Sequence, residues 1–433
     1  MAMDGKELVE KLAKLSQVQS IKDIPQLTHA LFPGTHCPLM GAAMAVGGIK
    51  DSLIVVVGTD ECTYYTKSMT IHSEKFGGID GRCVSVVLDD HDVTFGSAEK
   101  VQGAFKEIIE EYRPQCVFLV TTCVIEIIGD DFDAISEGLS ELYGIPVLPV
   151  HTEHFKCEDH LPGLERTITV CAEMMKSCDC DNSVNLLGQR MGDFATTELY
   201  AMLQKAGVKI GLQLPCGCSV DDIKNAAAAK VNIVVNDIAL PLAQKMQEKF
   251  GIPYVYFNKF VIPEKIYEAY KNLFGYLELE LPGELEGLYQ NAREKIEKNK
   301  GELEGITYIY GNTPYAVFEM NCFLSSLGMV PQVIQTNRYT EADEPYAKEI
   351  LQYTDPYVCK AANIAPLQYV YDVLSPYLYL GHEFGNRLRQ KGIAIVHSDR
   401  GSGMLGFEVT GYLLQQLVKS VREAKEYRKE LGL

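Results

Sequence analysis

Three cysteines occupy turn-like surroundings beside predicted strands. Cys62 follows the apolar run SLIVVV in GTDECTYYT, and Cys123 follows VFLV in TTCVIE. Cys37 lies in THCPLMGAA, ahead of these runs and before small residues that let backbone segments approach closely. By contrast, Cys83 and Cys116 are embedded in apolar segments, as structural thiols usually are. Because iron–sulfur clusters take soft thiolate ligands, the first three cysteines predict a cluster site.

Three cysteines are one short of a four-cysteine cluster site. The missing ligand would come from elsewhere in this chain or from a partner subunit at an interface. Two shorter groups, CDC at 178–180 and CGC at 216–218, lack the C-x2-C spacing that brings two thiolates to one zinc ion. We therefore interpret them as ordinary or partner-facing thiols.

The stretch HTEHFKCEDH is a further candidate metal site, with His151, His154, Cys157 and His160 at three-residue intervals. It begins where a predicted strand ends, and loops in this position also gather polar residues for other reasons. Both interpretations of this stretch stay open at the level of the sequence.

Apolar, strand-like runs alternate with helical windows along the whole chain. SLIVVV, CVFLV, NIVVN and IAIVHS are such runs, and SAEKVQGAFKEIIEEY has the apolar spacing of a helix. This alternation is typical of parallel sheets covered by helices on both faces. We predict an α/β protein of three Rossmann-like αβαβ domains, at residues 1–182, 183–300 and 301–433. The last helix is expected to pack back on the other domains. Ligands of such sheets bind beyond the carboxyl ends of the strands, where Cys62 and Cys123 lie.

The length and composition are those of a multidomain globular protein. A chain of 433 residues exceeds one compact core, and the charged stretch 282–305 and the segment 178–183 are candidate boundaries. The formal charge of −18 argues against nucleic acid or an anionic membrane as a main partner, although solubility explains the acidity equally well. No apolar stretch approaches the roughly 18–20 residues of a membrane span. Since MAMDGKELVEKLAKL is an amphipathic helix without the apolar core of a secretory signal, we expect a cytoplasmic protein.

The ordered motifs of the first third of the chain resemble the nitrogenase component 1 family. The resemblance is carried by HCPLMGAA, GGIKDSLIVVVGTDEC, DVTFGSAEK, TTCVIEIIGDD and GIPVLPV, and it is closest to the α-type subunits with three cysteines. Weaker similarity continues through AKVNIVVND and EKFGIPYVYF to GMLGFE near the end.

The resemblance implies three αβ domains, each around a parallel sheet, and a similar second subunit. That subunit would be a β-type chain or a second copy of this one, in a dimer or an α2β2 tetramer. Cys37, Cys62 and Cys123 match the ligands that hold a P-cluster-like [8Fe–7S] or a simpler [4Fe–4S] cluster at the subunit interface. Electrons would arrive from a separate iron protein that hydrolyses ATP. Consistent with that, this sequence has no G-x4-G-K-[ST] loop for nucleotide phosphates.

The sequence departs from the family where catalytic α-subunits bind an iron–molybdenum-type cofactor. Asp237 or its neighbour Asn236 stands where the family has its cofactor cysteine, and Leu405 or Met404 where it has its cofactor histidine. Neither replacement offers a soft ligand. We therefore expect no iron–molybdenum cofactor and no reduction of dinitrogen. The nearest thiols and histidine that could bind such a cofactor lie at other positions along the chain: Cys216, Cys218 and His397.

The resemblance then favours an oxidoreductase that works under anaerobic conditions on a substrate other than dinitrogen. Relatives of this kind reduce tetrapyrrole double bonds or act on sulfur compounds. Reductions at carbon need protons as well as electrons, and the candidate donors are His151, Glu153, His154 and Asp237. Hydrogen bonding within the loop is the alternative role for the histidines.

Two further functions remain open. A scaffold for metallocluster assembly would keep the interface cluster and hold its cargo more loosely, with CGC as a landing site. Because metalloclusters are anionic, its entry channel would be basic, and the few candidates are Arg387, Arg389 and Arg400. A non-catalytic regulatory paralogue is the other alternative, and the three spaced cysteines argue against it.

Overall fold

The structure is a computed structural model, and it describes residues 4–28, 36–64, 81–157, 159–190, 192–361 and 364–433. It is α/β, as predicted, with parallel sheets between layers of helices. Within these ranges, no helix combines the length and apolarity that crossing a bilayer requires.

Sixteen strands are found in the described residues. In chain order they are β1 Ala13–Lys14, β2 Ile49–Lys50, β3 Ser52–Gly58, β4 Cys83–Val87, β5 Cys116–Thr121, β6 Val147–Val150, β7 Val184–Gln189, β8 Ile210–Pro215, β9 Cys218–Ser219, β10 Val231–Val234, β11 Tyr254–Tyr256, β12 Thr307–Tyr310, β13 Val330–Gln335, β14 Tyr357–Cys359, β15 Leu378–Leu380 and β16 Ala394–Val396.

Helices cover the faces of the sheets. The α-helices are Gly5–Glu10, Pro38–Gly47, Asp90–Phe95, Ala98–Tyr112, Cys123–Ile128, Phe132–Tyr143, Leu161–Val170, Glu198–Lys205, Val220–Lys224, Leu240–Phe250, Pro263–Leu277, Leu285–Leu303, Val317–Ser326, Glu344–Tyr353, Ile364–Leu374, Gly385–Arg389 and Glu408–Leu431.

Two of the sheets have four parallel strands each. The first has the order β4-β3-β5-β6, and the middle sheet has the order β11-β10-β7-β8. All residues of β3, β5, β7 and β10 are buried, which explains their nearly continuous apolar sequences.

The third sheet has six strands in the order β1-β14-β13-β12-β15-β16. The strand β1 comes from the beginning of the chain and pairs antiparallel with β14. Leu8, Leu12 and Leu27 pack in the same apolar cluster as Ile309 and Val333 of the third sheet. The first helix therefore packs with the third sheet and with the helix Ile364–Leu374 that covers it.

The C-terminal helix Glu408–Leu431 packs against the helix Leu285–Leu303, and Arg422 pairs there with Glu302 at 2.8 Å. The hydroxyl of Thr410 also donates to the carbonyl of Val261 at 2.7 Å. The charged stretch 282–305, interpreted from sequence as a domain connection, is mostly this partner helix.

Candidate functional site

The first sheet brings two of the predicted cysteines to one edge. The strands β3 and β5 are parallel neighbours, so the turns that follow them lie side by side. Gly58 ends β3 so close to Thr122 that a Cβ built on Gly58 would lie 2.2 Å from Thr122 Oγ1. Cys62 follows in a short helical turn, and Cys123 is the first residue of the next helix along the edge.

Cys37 is positioned by a helix that packs against the first unit. By the first, middle and third units we mean the first, middle and third sheets, each with the helices that cover it. It is the N-terminal cap residue of the helix that starts at Pro38. A Cβ on Gly41 of this helix would lie 1.9 Å from the carbonyl oxygen of His160. On the facing helix, a Cβ on Gly163 would come equally close to the carbonyl oxygen of Pro38. Because only glycine fits at both contacts, the helix pair determines where Cys37 lies.

The three thiols are half-buried and interact electrostatically. Burial raises the pKa of the Cys123 thiol, and the thiols of Cys62 and Cys37 raise it further. The backbone N–H groups of Val124 and of Cys123 itself oppose this rise. The hydroxyl of Thr59 donates to Cys62 Sγ at 3.5 Å. These donors would stabilise thiolates once a metal replaced the protons.

The arrangement suits a cluster better than a single ion. In the described part of the chain, Asp89, His91 and Asp92 form the one group of three or more potential ligands whose ligand atoms all lie within 4.8 Å of one another. The three cysteine sulfurs therefore span a wider region than one ion needs. A cluster takes thiolates at separate iron atoms, and its positive metal removes the repulsion between them. The cysteines fit such a group.

Glu126 organises the loop that follows β6. The hydroxyls of Thr121 and Thr152 donate to its carboxylate at 3.0 and 2.9 Å. The N–H of Glu153 also donates to it, and the N–H of His154 donates at 3.0 Å. Because Glu126 lies on the short helix that starts with the third cysteine, it ties this loop to the cysteine edge.

The loop presents two of the predicted proton donors to a cleft of about 360 Å³. His151 Nε2 lies 3.0 Å from a carboxylate oxygen of Asp133. Glu153 forms ion pairs with Lys156, at 2.6 Å, and with Arg166. The hydrogen bond from Lys156 lowers the pKa of Glu153, so this carboxylate is ionised and a poor acid at neutral pH.

The other members of HTEHFKCEDH do not converge on one point. The ring of His154 lies edge-on to Phe155. Cys157 Sγ lies 3.6 Å from a backbone carbonyl of its own loop, and the ring of His160 faces His36. This separation argues against the candidate metal site in this stretch.

The chain also matches a known family over most of its length. The model described as "Nitrogenase component 1 type Oxidoreductase" matches residues 37–422. The chain belongs to the nitrogenase component 1 family.

Several members of the family are similar to this chain in sequence. It is 31% identical over 224 residues to the nitrogenase iron-molybdenum cofactor biosynthesis protein NifE of Clostridium pasteurianum, covering 51% of this chain and 49% of that protein. It is 25% identical over 331 residues to NifE of Rippkaea orientalis, covering 73% and 69%. A nitrogenase molybdenum-iron protein alpha chain of Methanosarcina barkeri is 24% identical over 330 residues, covering 72% and 62%.

A solved structure titled "Nitrogenase Cp1 at pH 6.5" shares the fold. Its TM-score is 0.78 at 14% identity, and the match covers 93% of this chain and 95% of that one. The nitrogenase component 1 fold expected from the cysteine motifs is therefore confirmed.

The positions that the resemblance matches to the family's cofactor cysteine and histidine have other surroundings here. Asn236 accepts a hydrogen bond from the N–H of Ile238 at 3.2 Å, and Asp237 accepts one from the hydroxyl of Tyr256. Leu405 is buried, with 1% of its surface exposed. These side chains offer oxygen and hydrocarbon instead of soft ligands.

A cationic group lies at the carboxyl edge of the middle sheet. Arg190, Cys216 and Lys259 follow β7, β8 and β11. Lys259 is buried, and the pKa of its ammonium is lowered to about 7, chiefly by burial and also by the charge of Arg190. Arg190 Nε is enclosed and has no hydrogen-bond partner in the described residues. The group can therefore bind an anion.

The basic residues predicted from sequence lie elsewhere. Arg387, Arg389 and Arg400 are exposed on the third unit, where Arg387 covers Phe384 and Arg389 pairs with Glu430 at 3.4 Å. Of the other thiols, Cys178 and Cys180 are exposed, Cys216 is half-buried, and Cys218 is buried. The sequence reasoning did not single out Glu126, Arg190 or Lys259. For Arg190 and Lys259, the available signal was a position just after a strand.

Proposed function

We propose that this chain is a component 1 subunit that holds an iron–sulfur cluster through Cys37, Cys62 and Cys123. The cluster, of the P-cluster-like [8Fe–7S] or the [4Fe–4S] type, would be completed by a second subunit, either a β-type chain or another copy. Electrons would come from an ATP-hydrolysing iron protein and reduce a substrate other than dinitrogen. The observation that carries the proposal is the placement of the three half-buried thiols, with electrostatic coupling of Cys62 and Cys37 to Cys123.

The donors around the cysteines support this assignment. An iron–sulfur cluster, when bound, supplies one-electron transfer at low potential. Backbone N–H groups at Cys123 and Val124 and the Thr59 hydroxyl are placed to stabilise sulfur charge. Partial exposure of the thiols leaves room for ligands from a partner subunit.

The middle sheet supports a ligand site at its carboxyl edge. Ligands of parallel sheets bind beyond the carboxyl ends of the strands, where Arg190, Lys259 and Asp237 lie. The two cations favour an anionic substrate or one that carries carboxylates. Asp237 is the predicted proton donor at this edge, whereas His151 and Glu153 lie at the cleft of the first unit, paired with other side chains.

A scaffold for metallocluster assembly is the second candidate. Several similar proteins are named for cofactor biosynthesis, and the cations Arg190 and Lys259 lie beside the thiol of Cys216. In this case the anionic ligand would be a metallocluster that is carried as cargo.

Iron and sulfide analysis of anaerobically purified protein tests the shared part of both candidates. Cys37→Ser, Cys62→Ser and Cys123→Ser are each expected to lose iron, because serine oxygen is a poor ligand for cluster iron. Cys178→Ser is the matched control, since this thiol is exposed and remote from the three cysteines in the sequence. Unchanged iron in all three variants, or colourless wild-type protein, would contradict the proposal.

The variant Lys259→Met separates the two candidates. In a scaffold, wild-type protein carries iron beyond the interface cluster, and Lys259→Met loses the excess. In a reductase, the iron content is independent of Lys259. Iron per chain, measured for both proteins after identical anaerobic purification, decides between them.

A further inference from the structure

Glu319 is a buried carboxyl group with an incomplete set of hydrogen bonds. It lies in the first turn of the helix Val317–Ser326, and 4% of its surface is exposed. Its Oε1 atom is enclosed and has no hydrogen-bond partner in the described part of the chain. A buried carboxyl group without a full set of partners is expensive in its charged form, so the site favours the neutral acid.

Glu319 lies at the junction of the middle and third units. The backbone N–H of Val261, which follows β11, is close enough to lower the pKa of its carboxyl group. Asp237, at the carboxyl edge of the middle sheet, is close enough for its charge to oppose ionisation of Glu319. The acid therefore lies next to the edge at which the ligand site is proposed.

A line of neighbouring polar side chains leads from Glu319 towards the surface. The hydroxyl of Tyr346 lies close enough to the carboxyl of Glu319 to lower the pKa of Glu319. The ammonium of Lys265 donates to the Tyr346 hydroxyl and lies 3.8 Å from the centre of its ring. Lys265 and Tyr346 are both half-buried, so the outer end of the line is accessible to solvent.

We propose that Lys265, Tyr346 and Glu319 form a proton line that supplies the ligand site at the edge of the middle sheet. This inference rests on the proposed function, in which a reduced ligand must take up protons. Glu319 gives its carboxyl proton to the ligand as electrons arrive there from the iron protein. The carboxylate then takes the hydroxyl proton of Tyr346, Tyr346 takes a proton from the ammonium of Lys265, and Lys265 regains one from water.

The surroundings of Glu319 keep this acid protonated until it is used. The pKa of Glu319 is raised to about 7, chiefly by burial; the charge of Lys265 lowers it and the charge of Asp237 raises it. The other titratable groups that face it are tyrosines and a thiol, which are neutral at this pH: Tyr256, Tyr310, Tyr346 and Cys322. A proton donor that is half-ionised near neutral pH is well matched to transfer in both directions.

Infrared spectroscopy of the whole protein tests the line without any ligand. The wild type is expected to show the carbonyl band of a protonated carboxylic acid that disappears as the pH rises through about 7, and Glu319→Gln is expected to lack it. Tyr346→Phe should keep the band but exchange its proton for deuterium about 10²-fold more slowly, because one positioned transfer group is lost. Tyr353→Phe, at an exposed tyrosine, is the control and should exchange as the wild type does.

Absence of a titrating band that depends on Glu319 would overturn the inference, as would unchanged exchange in Tyr346→Phe. Iron content is measured on the same samples and should be equal in all variants. A protein that binds no iron but shows the band and the slowed exchange would contradict the proposed function alone and would support the proton line.

Discussion

Gly58 and Thr122 touch across the carboxyl edge of the first sheet, where a Cβ on Gly58 would lie 2.2 Å from Thr122 Oγ1. Gly58 shortly precedes the proposed ligand Cys62, and Thr122 directly precedes the proposed ligand Cys123. The Thr122 hydroxyl is buried without a hydrogen-bond partner in the described residues, so it has no polar neighbour to move towards. The separation of the two turns therefore depends on glycine at position 58.

Gly58→Ala is expected to force the two turns apart. Overpacking of this kind destabilises a protein by about 1–3 kcal/mol, and here it would also displace Cys62 from Cys123 and lower the iron content. Urea unfolding and iron analysis measure the two effects. The control is Gly103→Ala, at an exposed helical position with no atom within 4 Å of the new Cβ, which should be stabilised by up to about 1 kcal/mol. Equal iron in both variants would contradict the packing argument.

Glu126→Ala should loosen the loop that contains His151 and Glu153. The substitution removes the acceptor of four hydrogen bonds, two of which come from the buried hydroxyls of Thr121 and Thr152. The Thr121 hydroxyl can still donate to the carbonyl of Val150 at 3.3 Å, but the Thr152 hydroxyl loses its acceptor. Since a buried donor left unpaired costs about 1–3 kcal/mol, we expect the free energy of unfolding to fall by about that much and amide hydrogen exchange in the loop to become faster. Glu137→Ala, at an exposed position of a neighbouring helix, should change neither quantity.

Glu319 makes folding stability depend on pH in a direction that can be worked out. Its pKa is 4.5 in the unfolded chain and about 7 when folded, so the folded protein binds the proton more tightly. The stabilising contribution of Glu319 is complete below about pH 4.5 and is lost as the pH rises to about 7. Relative to Glu319→Gln, the wild type should lose about 3 kcal/mol across this window. Urea unfolding at several pH values measures the difference, and a constant difference would contradict it.

Lys259 has the opposite dependence. Its pKa falls from 10.5 to about 7 on folding, so the folded protein binds this proton more weakly. The destabilisation by buried charge is complete below about pH 7 and declines towards about pH 10.5. Lys259→Met should therefore be more stable than the wild type by up to about 5 kcal/mol at pH 6, and by less at pH 10.

Inorganic phosphate provides a second readout for Lys259. An anion that pairs with the buried ammonium should raise the unfolding temperature of the wild type at pH 6 and have little effect on Lys259→Met. Lys106→Met, at an exposed position, is the control and should respond to phosphate as the wild type does. An equal phosphate effect in wild type and Lys259→Met would show that the anion binds elsewhere.

The arrangement of the first unit was readable from local sequence. Continuous apolar runs predicted the buried parallel strands β3 and β5, and residues after parallel strands share one edge of the sheet. Cys62 and Cys123 therefore had to be neighbours once the sheet formed. Cys37 follows no strand, so its grouping with the other two depended on its turn-like surroundings and on the family resemblance.

Contacts between segments that are distant in the chain could not be predicted from local sequence. The strand β1 contains two residues, and nothing in Ala13–Lys14 indicates that it joins β14. Glu319 and Lys265 look like ordinary residues of amphipathic helices. Their burial depends on how the middle and third units pack, which no local pattern expresses.

By itself, the sequence determined the α/β class and the family and singled out the three candidate cysteines, because these follow from short periodic runs and from motifs that lie within single loops. Only the tertiary structure decided that Arg190 and Lys259 lie together and that Glu319 is enclosed beside Asp237. A side chain's charge state depends on burial and on neighbours from other segments of the chain, and both exist only after the sheets and helices have packed.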